Sequence, residues 1–141
     1  MSILKVNKVE HTSTTDGGFS ISGTGLVTFE TANGSISAIS IAASDTSKTL
    51  DFATSNNFAL TLANTSSCTL ANPSNLTAGQ SGSIFIVQDS TGGRLLAYGS
   101  QWDFAGGAAP TLSTGASAVD RIDYIVRTTS SIHAVFTANY S

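Results

Sequence analysis

Charge is scarce in this sequence. Six Lys and Arg stand against nine Asp and Glu, for a net charge of −3. The few cations are scattered, so no positive stripe exists to neutralise phosphates, and nucleic acid is not an expected partner. The single cysteine, Cys68, cannot close an intrachain disulfide. With no His, Lys or Arg near it in sequence, it reads as a core thiol rather than a reactive one. Two histidines, His11 and His133, complete a poor set of metal ligands, and no HxxxH or CxxC spacing occurs, so no metal centre is expected. The glycine-rich strings lack both the following lysine and the strand-to-helix setting of a phosphate loop, so no cofactor is expected either. No window approaches the roughly 18 apolar residues of a membrane-spanning helix, and the apolar run in MSILKVNKVEH is too short for a signal peptide. Cytosolic synthesis without membrane insertion follows as an expectation. Helical spacing of Leu, Glu, Lys and Arg is also missing, which argues against long helices.

What the chain does have is hydroxyls. Ser and Thr make up 41 of its 141 residues, and 13 Gly but only two Pro separate short apolar runs. Such a composition suits strands and turns, and the expected fold class is all-β: an antiparallel β-sandwich, jelly-roll-like, with an N-terminal β arm. A body of about 100 residues buries roughly 60–70% of its unfolded surface, enough for a core.

The stretch at 76–104 organises this reading. Ile84, Phe85, Ile86 and Val87 form a nearly continuous apolar run that suits a strand covered on both faces. Asp89 to Gly93 supply turn chemistry, and a second run at 94–98 is expected to pair back as a hairpin. Before it, residues 1–43 read as an assembly arm: a strand at 3–10, short runs at Phe19 to Ile21 and Leu26 to Phe29, a turn at Asn33-Gly34, then Ile36, Ile39 and Ile41. Isolated hairpins of this kind are marginal in water. The body, residues 45–141, opens with Leu50 and Phe52 and continues with Phe58, Leu60 and Leu62 at a period of two. After a glycine and alanine loop at 105–117, expected to be irregular and unpacked, Ile122, Tyr124 and Val126 share one strand face. Ile132, Ala134 and Phe136 share another, and residues 128–131 join the two as a C-terminal hairpin.

Few residues offer chemistry. Asp103, Asp120 and Asp123 are the only carboxylates that could act as a glycosidase-type pair, but charges alternating along a strand more simply form cross-strand pairs on a solvated face. No catalytic residue is assigned and no enzyme is expected. His133 reads as an exposed or edge position and His11 as part of a polar turn. Tyr98 and Trp102 could stack on a sugar ring, although burial is the default for a lone Trp. Ile3, Leu4 and Val6 are the expected assembly contacts.

Several stretches carry a family resemblance. The opening MSILKVN is similar to the start of small virion structural proteins of marine tailed phages, particularly those infecting cyanobacteria. FATSNNFALTL at 52–62, LANPSNLTAGQSG at 70–82, WDFA at 102–105 and AVDRIDY at 118–124 resemble a repeated C-terminal module of phage tail-fibre-like proteins. The resemblance implies a non-enzymatic virion component, made in the host cytoplasm, β-rich and homotrimeric, with other virion proteins of the tail or the major capsid protein as partners. A tail-fibre or adhesin-like appendage would meet host-surface glycans. The chain has no room for a long shaft, which suits a capsid decoration or cement protein as the alternative. A carbohydrate-binding module is the alternative from another class.

Overall fold

The computed structural model describes residues 19–21, 27–29 and 35–140. The chain divides into two compact units, Met1–Gly34 and Ser35–Ser141. In the first unit β1 (Phe19–Ile21) and β2 (Val27–Phe29) pair antiparallel, with Phe19 opposite Phe29. The expected strand at 3–10 and the Asn33-Gly34 turn lie outside the described residues.

The second unit is built from β3 (Ile36–Ile41), β4 (Ser47–Lys48), β5 (Asn57–Leu62), β6 (Cys68–Leu70), β7 (Ser81–Gln88), β8 (Leu96–Tyr98), β9 (Trp102–Phe104), β10 (Val119–Thr128) and β11 (Ser131–Thr137). A six-stranded sheet runs in the order β3-β5-β7-β10-β11-β9, and a three-stranded sheet in the order β4-β6-β8. The chain alternates between them. From β3 to β8 each pass through the large sheet is followed by one through the small sheet, so the three passes stack as coils with parallel neighbours. Short backbone bonds tie the coils at a corner, where Phe52 N–H donates to Ser74 O at 3.0 Å and Ser74 N–H to Leu50 O at 2.9 Å. The coils end in an antiparallel cap: β10 pairs with β7, and β11 pairs with β10.

β-rich architecture is as expected, but the antiparallel jelly roll is not. The small sheet is wholly parallel and the large one mixed. The central hairpin is the clearest correction. β7 has both edges taken, by β5 and β10, so the run after the turn has no place beside it and crosses to the small sheet as β8. The turn itself is of the expected kind: Gly92 and Gly93 take positive φ of 74° and 73°, and Asp89 accepts the N–H groups of Thr91 and Gly92 at 3.0 and 2.9 Å. The buried Gln88 amide braces the crossing, accepting Arg94 N–H at 2.8 Å and donating to Arg94 O at 3.0 Å.

The second compact unit begins earlier than residue 45. β3 belongs to the body, with Ile41 fully buried, and the boundary falls between Gly34 and Ser35 rather than at 43–45.

Both sheets share one core, in which Ile41, Phe58, Leu60, Leu62, Ile84, Ile86, Ile122, Val126 and Ile132 of the large sheet meet Cys68 and Leu70 of the small one. Phe52 sits at its centre, 4.8 Å from the Tyr124 ring and 5.5 Å from Phe58 between centroids. The period-two reading of β5, β10 and β11 places the buried residues correctly, and β10 and β11 form the expected C-terminal hairpin. Phe85 and Val87 are only half-buried, so β7 is not covered equally on both faces. The loop after β9 is also less idle than its small residues imply. It begins with a 3-10 turn, Ala105–Gly107, buries Leu112, and accepts Gly93 N–H on Thr114 O at 2.9 Å.

Candidate functional site

The outer face of the large sheet is where chemistry-bearing side chains remain within reach. Strand alternation puts Ile36, Ala38 and Ser40 of β3 on this face, followed across the sheet by Ala59, Phe85, Arg121 and Thr137 along one row. Ile36, Ile125 and Val135 are its exposed apolar residues, at 55%, 50% and 61%. A shallow hollow of about 540 Å³ lies over β9, β10 and β11, lined by Asp103, Phe104, Asp123, Ile125, His133 and Val135.

The hollow's two carboxylates are committed to neighbours. Asp123 accepts the Ser83 hydroxyl at 2.6 Å and Arg121 Nε at 2.9 Å, and Asp103 accepts the Ser131 hydroxyl at 2.7 Å. Arg121 also lies 4.9 Å from the Tyr140 ring centroid, a cation–π contact. His133 is exposed on β11, as read from its strand, with Asp103 opposite it on β9. The result is an apolar shelf with an acidic rim. It suits contact with a large partner better than enclosure of a small molecule.

Asp120 does not join this group. It is adjacent to Arg121 in sequence but faces inward, 2% exposed, with its two oxygens accepting Ser113 N–H and Asn139 N–H, each at 2.8 Å. The solvated cross-strand arrangement expected for Asp120 and Asp123 is thus replaced by one buried anchor and one same-strand pair, Arg121 with Asp123 at 2.8 Å.

Tyr98 and Trp102 each serve in packing, against different aromatic rings. Trp102 is 6% exposed, donates its indole N–H to Ala71 O at 3.1 Å and lies edge-on to Phe52. Tyr98 is half-buried and edge-on to Phe104 at 4.9 Å, and burial, aided by the charge of Asp120, pushes its hydroxyl pKa up. Both border a hollow of about 230 Å³. No broad face of the Trp102 ring is left for a sugar.

Cys68 is a buried thiol whose pKa is raised, first by burial and then by the charge of Asp45. Among the described residues no three His, Cys, Asp or Glu side chains gather to hold a metal ion, and no helix is long and apolar enough to cross a membrane. Ile3, Leu4, Val6 and His11 lie outside the described residues. Sequence reasoning missed the buried polar anchors Asn64 and Gln88. Gln88 shares the parity of Ile84 and Ile86, which was the available signal. No protein-family model, no curated protein and no solved structure matches the chain.

Proposed function

We propose that this chain is a non-enzymatic structural subunit of a tailed-phage particle, a homotrimeric tail-fibre or adhesin-like appendage. The reading rests on the stretches at 52–62, 70–82, 102–105 and 118–124 that resemble tail-fibre-like modules. One structural observation supports it: these stretches supply the scaffold. Phe58, Leu60, Leu62, Leu70, Trp102, Ile122 and Tyr124 are core residues, and Asp120 is an internal anchor. The side chains left outside form an apolar and weakly acidic sheet face, suited to contact with other virion proteins or a host-surface glycan.

Immunogold labelling of intact virions with an antibody against the chain tests the assignment. Label confined to the tail is the expected result. Label spread over the head would make the chain a capsid decoration protein, and particles without label would refute a virion role. A glycan array with the full chain separates the carbohydrate-binding alternative, which requires binding that survives removal of all other virion proteins.

A further inference from the structure

The two ends of the coil differ. At one end β7 is covered by β10 and β10 by β11, whereas at the other β3 has β5 as its sole partner among the described residues. The direction of the β3 backbone can be read from two bonds. Ile41 O accepts Ala63 N–H at 2.9 Å, and Ser35 O accepts the Ser55 hydroxyl at 3.3 Å, so the odd-numbered residues of β3 face β5. Alternation then turns the N–H and C=O groups of Ile36, Ala38 and Ser40 to the side away from β5, where no described strand lies.

Edge strands normally carry a charge, a proline or a bulge that prevents pairing with another chain. Residues 35–44, SISAISIAAS, carry neither charge nor proline, and β3 stays in register with β5 from Ile36 to Ile41. The nearest charges, Asp45 and Lys48, neutralise each other at 3.2 Å.

We propose that β3 is an interface with a second copy of this chain. Two β3 strands pair antiparallel about a two-fold axis at Ala38 and join two six-stranded sheets into one. This placement sets Ala38 opposite Ala38 and Ile36 opposite Ser40, so outward N–H groups meet outward C=O groups along the whole edge. A self-complementary contact of this kind fails when like charges or bulky side chains meet at the axis, and here the axial residue is a methyl group. Ile36, exposed in the single copy, gains the neighbouring strand as cover. The inference goes beyond the proposed virion role and does not depend on it. A three-fold unit joined at such two-fold edges closes with D3 symmetry.

The test compares the mass of the full chain with that of Ala38→Pro and Ser40→Lys variants by sedimentation equilibrium at matched concentration, together with amide exchange. Ala38→Pro deletes an N–H that β5 does not use. Ser40→Lys adds an edge charge on an exposed position, and decides the matter if the proline disturbs folding. The expected result is that each variant has half the mass of the wild type, and that the amides of Ile36, Ala38 and Ser40 exchange slowly in the wild type but fast in the variants. Equal masses for wild type and Ser40→Lys would overturn the proposal. So would protection of the three amides that persists unchanged on dilution, since the chain itself would then cover its own edge.

Discussion

Asp120→Asn preserves shape and removes only a charge and an acceptor, which makes it a sharp probe of how the cap is held. In the wild type each carboxylate oxygen takes one backbone N–H, from Ser113 and from Asn139. An asparagine must turn its NH2 toward one of those donors, so one bond becomes a donor–donor contact and the other loses its charge. A hydrogen bond to a charged group contributes about 1.5–3 kcal/mol and a buried donor left without a partner costs about 1–3 kcal/mol. Together they put the loss at about 2.5–6 kcal/mol, a large part of the roughly 5–15 kcal/mol that holds a domain folded. Urea unfolding followed by fluorescence of the sole tryptophan, the buried Trp102, reads this directly. The midpoint should fall with the slope unchanged. Amide exchange should also accelerate at Ser113 and Asn139. A loss below about 1 kcal/mol would refute the view that this carboxylate ties the loop after β9 and the C-terminal segment to β10.

Further expectations follow from other contacts. A methyl group at Gly82 would collide with the Asn56 carbonyl, with its carbon at 2.7 Å, and press on the Tyr124 hydroxyl at 3.0 Å, which donates to that same carbonyl. Gly82→Ala should therefore cost about 2–4 kcal/mol in urea unfolding, from overpacking and a weakened bond. Hydrogen bonding from Arg94 holds the Asp89 pKa down at about 2, below its ordinary 3.8. A depressed carboxylate stabilises the fold above its unfolded pKa of about 3.9, and that contribution is lost as pH falls through about 2, so Asp89→Asn should flatten the acid side of the stability profile between those values. Cys68 should resist iodoacetamide in the folded chain and react after denaturation, because burial both shields the thiol and raises its pKa. Ready labelling of the folded protein would contradict the packing described.

Local signals carried much of this fold, and sheet membership was where they stopped. The alternation in Phe58, Leu60 and Leu62 and in Ile122, Tyr124 and Val126 marks the buried faces because side chains on a strand point alternately to its two sides. The β10 and β11 hairpin was legible because its turn is short. The link from β7 to β8 has similar turn residues, yet it joins two sheets, since occupancy of both β7 edges is a tertiary fact that no adjacent residue encodes. The coils themselves left little trace, as the interval from Phe58 to Ile84 is longer than that from Ile36 to Asn57 and so no fixed repeat appears. For the site, His133 was placed correctly, while Asp120 was not. Asp120 shares the parity of Ile122, Tyr124 and Val126, so its inward orientation follows the same alternation; what no local signal showed was that backbone donors from Ser113 and Asn139, in irregular segments, would satisfy it there.

The alternation of the chain between two walls also bears on the order of folding. Each parallel contact between coils joins residues far apart in sequence, so a long loop must close before any bond forms, whereas β10 and β11 can meet through their own turn. On the ribosome this hairpin emerges after the coils it covers. Until it arrives the outer edge of β7 has no strand beside it, and Ile84 and Ile86 lack the neighbours Ile122 and Asp120 that stand opposite them in the finished sheet. Until residues 119–137 follow, the β7 edge is therefore open to pairing with the wrong neighbour.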